Sequence, residues 1–196
     1  MKYEMYVKIV GEPFLARAKA YRAELQSCAD KWRAFMEEKG ATGVPHSLRG
    51  LNFDGEAPKG WTKPDRKHGF SRPKDGHPDN ERIAALPKRP RTYDVFGDSI
   101  INDLNYKGKN GDWGGGGILF YWDGPWVGWA GDTFMACIPD AKAAADAHLA
   151  EYPDHEITSG ADKWTLPDGL ERISKAEHDL IIAEYKVAEE RKAKAA

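Results

Sequence analysis

Only two cysteines, Cys28 and Cys137, stand among the 196 residues. Two thiols make neither a disulfide framework nor a cysteine-rich zinc site, and their scarcity fits a reduced compartment. No apolar run approaches the ~18 residues that span a bilayer, which argues against a membrane helix. The opening stretch MKYEMYVKIVGEPF lacks the apolar core of a secretory leader. A strong charge of either sign is missing as well, because the formal net charge is only -2. Nucleic-acid binders are usually basic throughout, so a dedicated one is disfavoured. A reduced, cytosolic setting with no membrane partner is the expectation.

The chain is instead rich in large aromatics, with 7 Trp, 8 Tyr and 7 Phe, enough to fill a core despite a mean hydropathy of -0.67. Its length suits one domain over 1–196. The small net charge hides an asymmetry. Residues 41–92 carry 11 basic and 6 acidic side chains, whereas residues 93–196 carry 10 and 19. The two parts can attract each other within one fold, or the basic part can attract phosphates or an acidic protein.

Alternation of Tyr and Val over residues 2–10 predicts a strand. Gly11 to Pro13 break it, and Pro suits a helix start. From Phe14 to about Lys39 the apolar residues Phe14, Ala18, Tyr21, Leu25, Cys28, Trp32 and Phe35 or Met36 recur at three- and four-residue steps. This predicts a long helix capped by Gly40, whose wide stripe packs on a sheet. Cys28 lies on that stripe and is expected to be a buried small hydrophobe. Residues 41–77 are dense in Gly, Pro and charge. Turns are expected at Asp54-Gly55, Lys59-Gly60 and Asp75-Gly76, and Phe53, Trp61 and Phe70 can pin the segment to a core. A short helix over Pro78–Leu86, ended by Pro87, comes next. Residues 93–138 read as the best strand region, with a hairpin across Asp123-Gly124 and a further strand at DTFMACI. Asp140 caps a helix to 151, and Ser174 with Glu177 forms a capping box for a C-terminal helix. Leu180, Ile181, Tyr185 and Val187 or Ala188 are its expected apolar face, with a frayed tail over 190–196. Together these predict an α+β fold, a mostly antiparallel sheet packed against the N-terminal and C-terminal helices.

Enzyme chemistry finds little support. YDVFGDSI (93–100), with its serine in FGDS, resembles the first motif of the GDSL-type esterases, which would make Ser99 a nucleophile. That family draws its base from a DxxH element, and Ala145, Tyr152 and Lys175 stand three residues before His148, His155 and His178. A serine hydroxyl without a base is a weak nucleophile. An esterase centred on Ser99 is therefore the weakest reading, and no catalytic residue is expected. His68, Asp75, His77, Asp79 and Glu81 lie close together but at no recognised zinc spacing. The glycines 114–117 lack the Lys and following helix of a phosphate loop. Neither metal nor cofactor is expected. Of Trp113, Trp122, Trp126 and Trp129, one or two exceed what a core face needs and are expected to be exposed.

The most usable binding feature is Lys59, Lys63, Arg66, Lys67, Arg72 and Lys74 interleaved with Trp61 and Phe70. Cations beside aromatics can grip a phosphodiester chain and stack on bases. They can equally dock an acidic protein, with an exposed Trp as anchor.

FDGEAPKGWTKP (53–64), HGFSRPKDG (68–76) and AALPKRP (84–90) follow one another here. In this order they resemble a family of small proteins encoded by tailed phages and prophages, whose members carry FDGxxPxGW, SRPKKG-like and ALPxxP elements. The N-terminal strand and helix and the ending LPDGLERISKAEHDLI (166–181) are also similar to that family. The resemblance implies a phage accessory gene product, working in bacterial cytoplasm or in the virion, and carries over no catalytic residue. The expectation is a non-enzymatic protein that binds a host or phage protein, in host interaction or counter-defence, through Lys59–Lys74. A nucleic-acid or nucleotide binder using the same segment is the alternative.

Overall fold

The computed structural model describes residues 3–42, 50–100, 104–108, 126–158 and 165–195. In chain order its elements are β1 (Glu4–Ile9), α1 (Phe14–Lys39), α2 (Asp79–Ala85), α3 (Tyr93–Phe96), β2 (Tyr106–Lys107), β3 (Trp126–Ala130), β4 (Thr133–Pro139), α4 (Ala141–Glu151), β5 (Glu156–Ile157), β6 (Leu170–Ile173) and α5 (Lys175–Ala195). The fold is α+β, as its sequence pattern implied. The chain divides into two compact units, 1–19 with 91–196, and 20–90.

The first unit is built on an antiparallel sheet of order β3-β4-β1-β6. Alternation places Val7, Ile9, Phe134, Ala136, Ile138, Val127 and Leu170 on one face, and all are buried. The other face carries Tyr6, Met135, Ala130 and Ile173, which pack with Ile181, Ile182 and Tyr185 of α5. Lys8 reaches Glu177 at 2.5 Å across the same contact. At about 1.5–3 kcal/mol for each buried aliphatic side chain, these two faces dominate the unit's stability. β6 is held to the end of β1 by a close backbone approach. Gly169 accepts from the N–H groups of Val10 and Gly11 at 2.9 and 3.1 Å. Its φ is +90°, and a Cβ there would lie 2.9 Å from the Gly11 oxygen. Asp140 caps α4 by accepting from Ala143 N–H at 3.0 Å, and Ala141, Ala144 and Ala145 pack on Leu104.

In the second unit, α1 ends in a full Schellman cap. Gly40 (φ 64°) donates to Glu37 O at 3.1 Å and Ala41 to Met36 O at 2.9 Å. The stripe residues Cys28, Trp32 and Phe35 form a core with Leu51, Trp61 and Ile83, joined by the half-buried Phe53, Ala57 and Leu86. Trp32 Nε1 donates to Pro87 O at 3.0 Å, and Cys28 Sγ sits 3.4 Å from the same oxygen. Cys28 is 1% exposed, and burial pushes its thiol pKa up, which makes it the inert hydrophobe expected.

Local expectations are corrected at residues 93–99 and on α5. Tyr93–Phe96 is a helical turn, not a strand, and Gly97–Ser99 continues it as a 3-10 turn. The run YDVF is too short for its period to decide, and Asp94 accepting from Arg91 N–H at 3.3 Å favours the helical start. The observed hairpin joins β3 to β4 through Gly131-Asp132. The one expected at Asp123-Gly124 lies outside the described residues, as do the glycines 114–117. On α5, Leu180 and Val187 are 56% and 47% exposed, and Ile182 takes the inward place. Ser174 does accept from Glu177 N–H at 3.0 Å, but the Glu177 carboxylate goes to Lys8 instead of closing the box. α5 continues as helix to Ala195.

A candidate docking surface

Residues 59–74 fold as a short finger in the second unit. Thr62 N–H donates to Arg72 O at 2.7 Å, and Lys74 N–H to Gly60 O at 2.9 Å, around a bridge between Trp61 and Pro73. Leu51 and Ser71 exchange both backbone hydrogen bonds, at 2.8 and 2.9 Å, which attaches the finger to residues 51–52. Asp65 closes the tip. Its Oδ1 accepts from His68 N–H at 2.6 Å and from Lys67 N–H at 2.8 Å. The His68 and then the Lys67 backbone N–H groups hold this carboxyl below its ordinary range, against a smaller opposing effect of burial. The turns at Lys59-Gly60 and Asp75-Gly76 fall where the sequence placed them.

All six cations of the segment, Lys59, Lys63, Arg66, Lys67, Arg72 and Lys74, are exposed. Among the described residues, none of their side chains has a hydrogen-bond or ion-pair partner. The single acid within 59–74 is Asp65, which is committed to the tip. The finger therefore presents six exposed cations against the one carboxylate of Asp65, a clear positive excess.

Trp61 and Phe70 pin the segment to a core as the sequence offered, and this turns them away from the surface on which the cations lie. Trp61 is 6% exposed and belongs to the core. It stands edge-on to Phe53 at 5.5 Å and donates from Nε1 to Asp79 Oδ2 at 3.0 Å. Phe70 is half-buried, and its ring covers the backbone of Gly50, where a Cβ would lie 1.9 Å from the ring. Trp61 and Phe70 thus anchor the finger from within, and Trp61 offers no stacking platform.

Asp79 is the hub of this anchoring. Its side chain is 4% exposed and meets Lys39 Nζ at 2.8 Å, Arg82 Nη1 at 3.5 Å and His77 Nδ1 at 3.5 Å, besides Trp61. Burial raises its pKa, but the hydrogen bonds from Lys39 and Trp61 outweigh this, and the carboxyl lies below the ordinary carboxylate range. Arg82 also pairs with Glu38 at 2.5 Å and lies over the Phe35 ring at 5.1 Å. An acid at the start of a seven-residue helix reads in sequence as solvated, and no local signal marks it as buried. Its partners come from α1 and from the finger, 40 and 18 positions away.

The remaining candidates separate. Ser99 ends the 3-10 turn, and of the downstream histidines His148 faces His155 at 3.0 Å while His178 faces Asp179 at 3.0 Å. His77 Nδ1 accepts from Asp79 N–H at 3.1 Å. Among the described residues no group of three or more His, Cys, Asp or Glu could hold a metal ion, and no helix is long and apolar enough to cross a membrane. In the first unit Trp126 is 43% exposed, its indole lies over Gly128, and its ring meets His178 edge-on at 5.5 Å. Trp129 is half-buried, and Trp113 and Trp122 lie outside the described residues. A second aromatic group there has Tyr106 and Tyr152 stacked on His155 at 5.1 and 4.9 Å, with the His148 ring tilted against both. Sequence reasoning weighed these histidines only as catalytic bases, because their spacing carries no sign of stacking.

No family model matches the chain, and neither a curated protein nor a solved structure matches it.

Proposed function

We propose that this chain is a non-enzymatic accessory protein of phage type whose cationic finger docks an acidic surface of a host or phage protein. One observation carries the reading: six exposed cations whose side chains have no partner among the described residues, set against a single carboxylate, Asp65, at the tip. Such a concentration of charge raises the self-energy of the fold and is relieved by an external counter-charge. It would also steer encounter, an effect that falls with salt as the Debye length shortens to ~8 Å at physiological ionic strength. The inward placement of Trp61 favours a protein over single-stranded nucleic acid. Base stacking supplies much of that affinity, and only phosphate contacts would remain.

The test is a tagged pull-down from infected bacterial lysate, with and without nuclease, comparing the native chain with an Arg66→Glu/Lys67→Glu variant. Both positions are exposed at the tip, so the variant keeps the core. A stoichiometric protein that survives nuclease and is lost with the variant supports the reading. Partners that vanish with nuclease transfer the surface to nucleic acid, and a partner retained by the variant places the contact elsewhere.

A further inference from the structure

Two hollows border the finger. One, of about 550 Å³, is lined by Thr62, Arg72, Pro73, Lys74, Asp75 and Asn80, and sets two cations beside one acid. The other, of about 580 Å³, has walls from Phe53, Ala57, Trp61 and Pro64, with Lys63 and Glu56 also lining it. Alternation explains the pair. Trp61 and Lys63 line the second hollow while Thr62 between them lines the first, so the extended residues 61–63 run between the two. The described bridges, which join 42 to 52, 51 to 71 and 61 to 73, put residues 61–63 at one edge and residue 42 at the other.

The second hollow is chemically distinct from the surface around it. Trp61 N–H is already satisfied by Asp79, so the indole presents only carbon to the hollow. Phe53 stands edge-on to it, and Ala57 and Pro64 add aliphatic walls. An apolar side chain entering there leaves none of these groups without a partner. Its neighbours in sequence would meet Lys63 nearby and Arg72 and Lys74 across the edge.

We infer that the partner engages the finger as an extended acidic segment with one apolar anchor side chain, which seats between Phe53, Ala57, Trp61 and Pro64. This rests on the docking reading above. It adds that recognition has two parts, carboxylates on Lys63, Arg72 and Lys74 and an anchor in the hollow. Charge complementarity selects an acidic segment, and the edge between the hollows selects an extended one, because a chain can cross the edge and reach both hollows. Glu56 shares the second hollow, so the acids flanking the anchor lie toward Lys63.

The experiment uses the full chain and three fluorescent peptides in anisotropy titrations at fixed ionic strength: a glutamate-rich peptide with one central Leu, the same peptide with Ser for Leu, and the Leu peptide with Gln for every Glu. Burying one aliphatic side chain gives the Leu peptide about tenfold tighter binding than the Ser peptide. The neutral variants Ala57→Gln and Pro64→Ser, checked for unchanged melting, remove that difference and leave binding of the Ser peptide unaltered. Equal, salt-sensitive binding of the Leu and Ser peptides overturns the anchor and leaves the docking surface standing. Glutamate peptides that bind no better than the glutamine peptide overturn the docking reading itself.

Discussion

Replacing Asp79 by Asn tests the physical account of the second unit most directly. The carboxylate is 4% exposed and accepts from Lys39 at 2.8 Å and from Trp61 at 3.0 Å. The amide keeps the shape but loses the charge, and it turns a donor toward one of two donors. Hydrogen bonds to charged groups contribute about 1.5–3 kcal/mol each, and breaking a buried pair costs about 3–5 kcal/mol. Lys39 is 17% exposed and can fall back on Glu38 at 3.6 Å, which brings the expected loss to about 3 kcal/mol. Urea unfolding followed by tryptophan fluorescence measures it, since Trp61 and Trp32 report on this core. A double-mutant cycle with Trp61→Phe isolates the Nε1 contact. Acid supplies the second arm. The folded-state pKa of Asp79 is depressed. Its contribution is therefore fully present above the unfolded value of about 3.9 and is lost as pH falls from there through the folded value. Asp79→Asn should flatten the decline in stability below about pH 4. A loss under 1 kcal/mol, or an unchanged acid limb, would refute the hub.

Gly169→Ala should destabilise the first unit by about 1–3 kcal/mol in thermal melting, because φ is +90° and the new Cβ meets the Gly11 oxygen. Cys28 should react with a thiol reagent only after unfolding, as the residue is 1% exposed and its thiol pKa is raised by burial. Fast labelling of Cys28 in a Cys137→Ser background would contradict its packing. His148 is held below its ordinary pKa by burial first and by His155 second. Its neutral form therefore stabilises the fold above about pH 6.5, and that contribution fades as pH falls through the depressed value. NMR titration of the two imidazoles should show His148 gaining its proton at lower pH than a model peptide, and His155→Phe should move it back up.

Much of the local structure could be read from the chain alone. The α1 stripe and the Gly40 cap depend on neighbours within one or two turns, as do the Asp140 cap and the turns at Lys59-Gly60 and Asp75-Gly76. So does the burial of Cys28, which follows from its place on the stripe. Readings failed where a choice rested on distant contacts. YDVF is too short to show a period, and α5 turned Ile182 inward in place of Leu180 because helix rotation is set by the sheet beneath it.

Residues 59–74 show the same division. Their cations are legible in the sequence, since Lys and Arg on a Gly- and Pro-rich stretch seldom find burial. Their lack of partners and the inward placing of Trp61 and Phe70 were decided by tertiary structure. An aromatic beside cations has the same local signature whether it faces water or a core. What decides is whether a distant acid satisfies its N–H, and Asp79, 18 residues further on, does so for Trp61. Composition and short-range pattern thus determined which elements form and where charge collects. Only the packing of α1 against residues 51–87 determined which side chains of the finger stay exposed, because burial is a property of the assembled core and not of the segment that enters it.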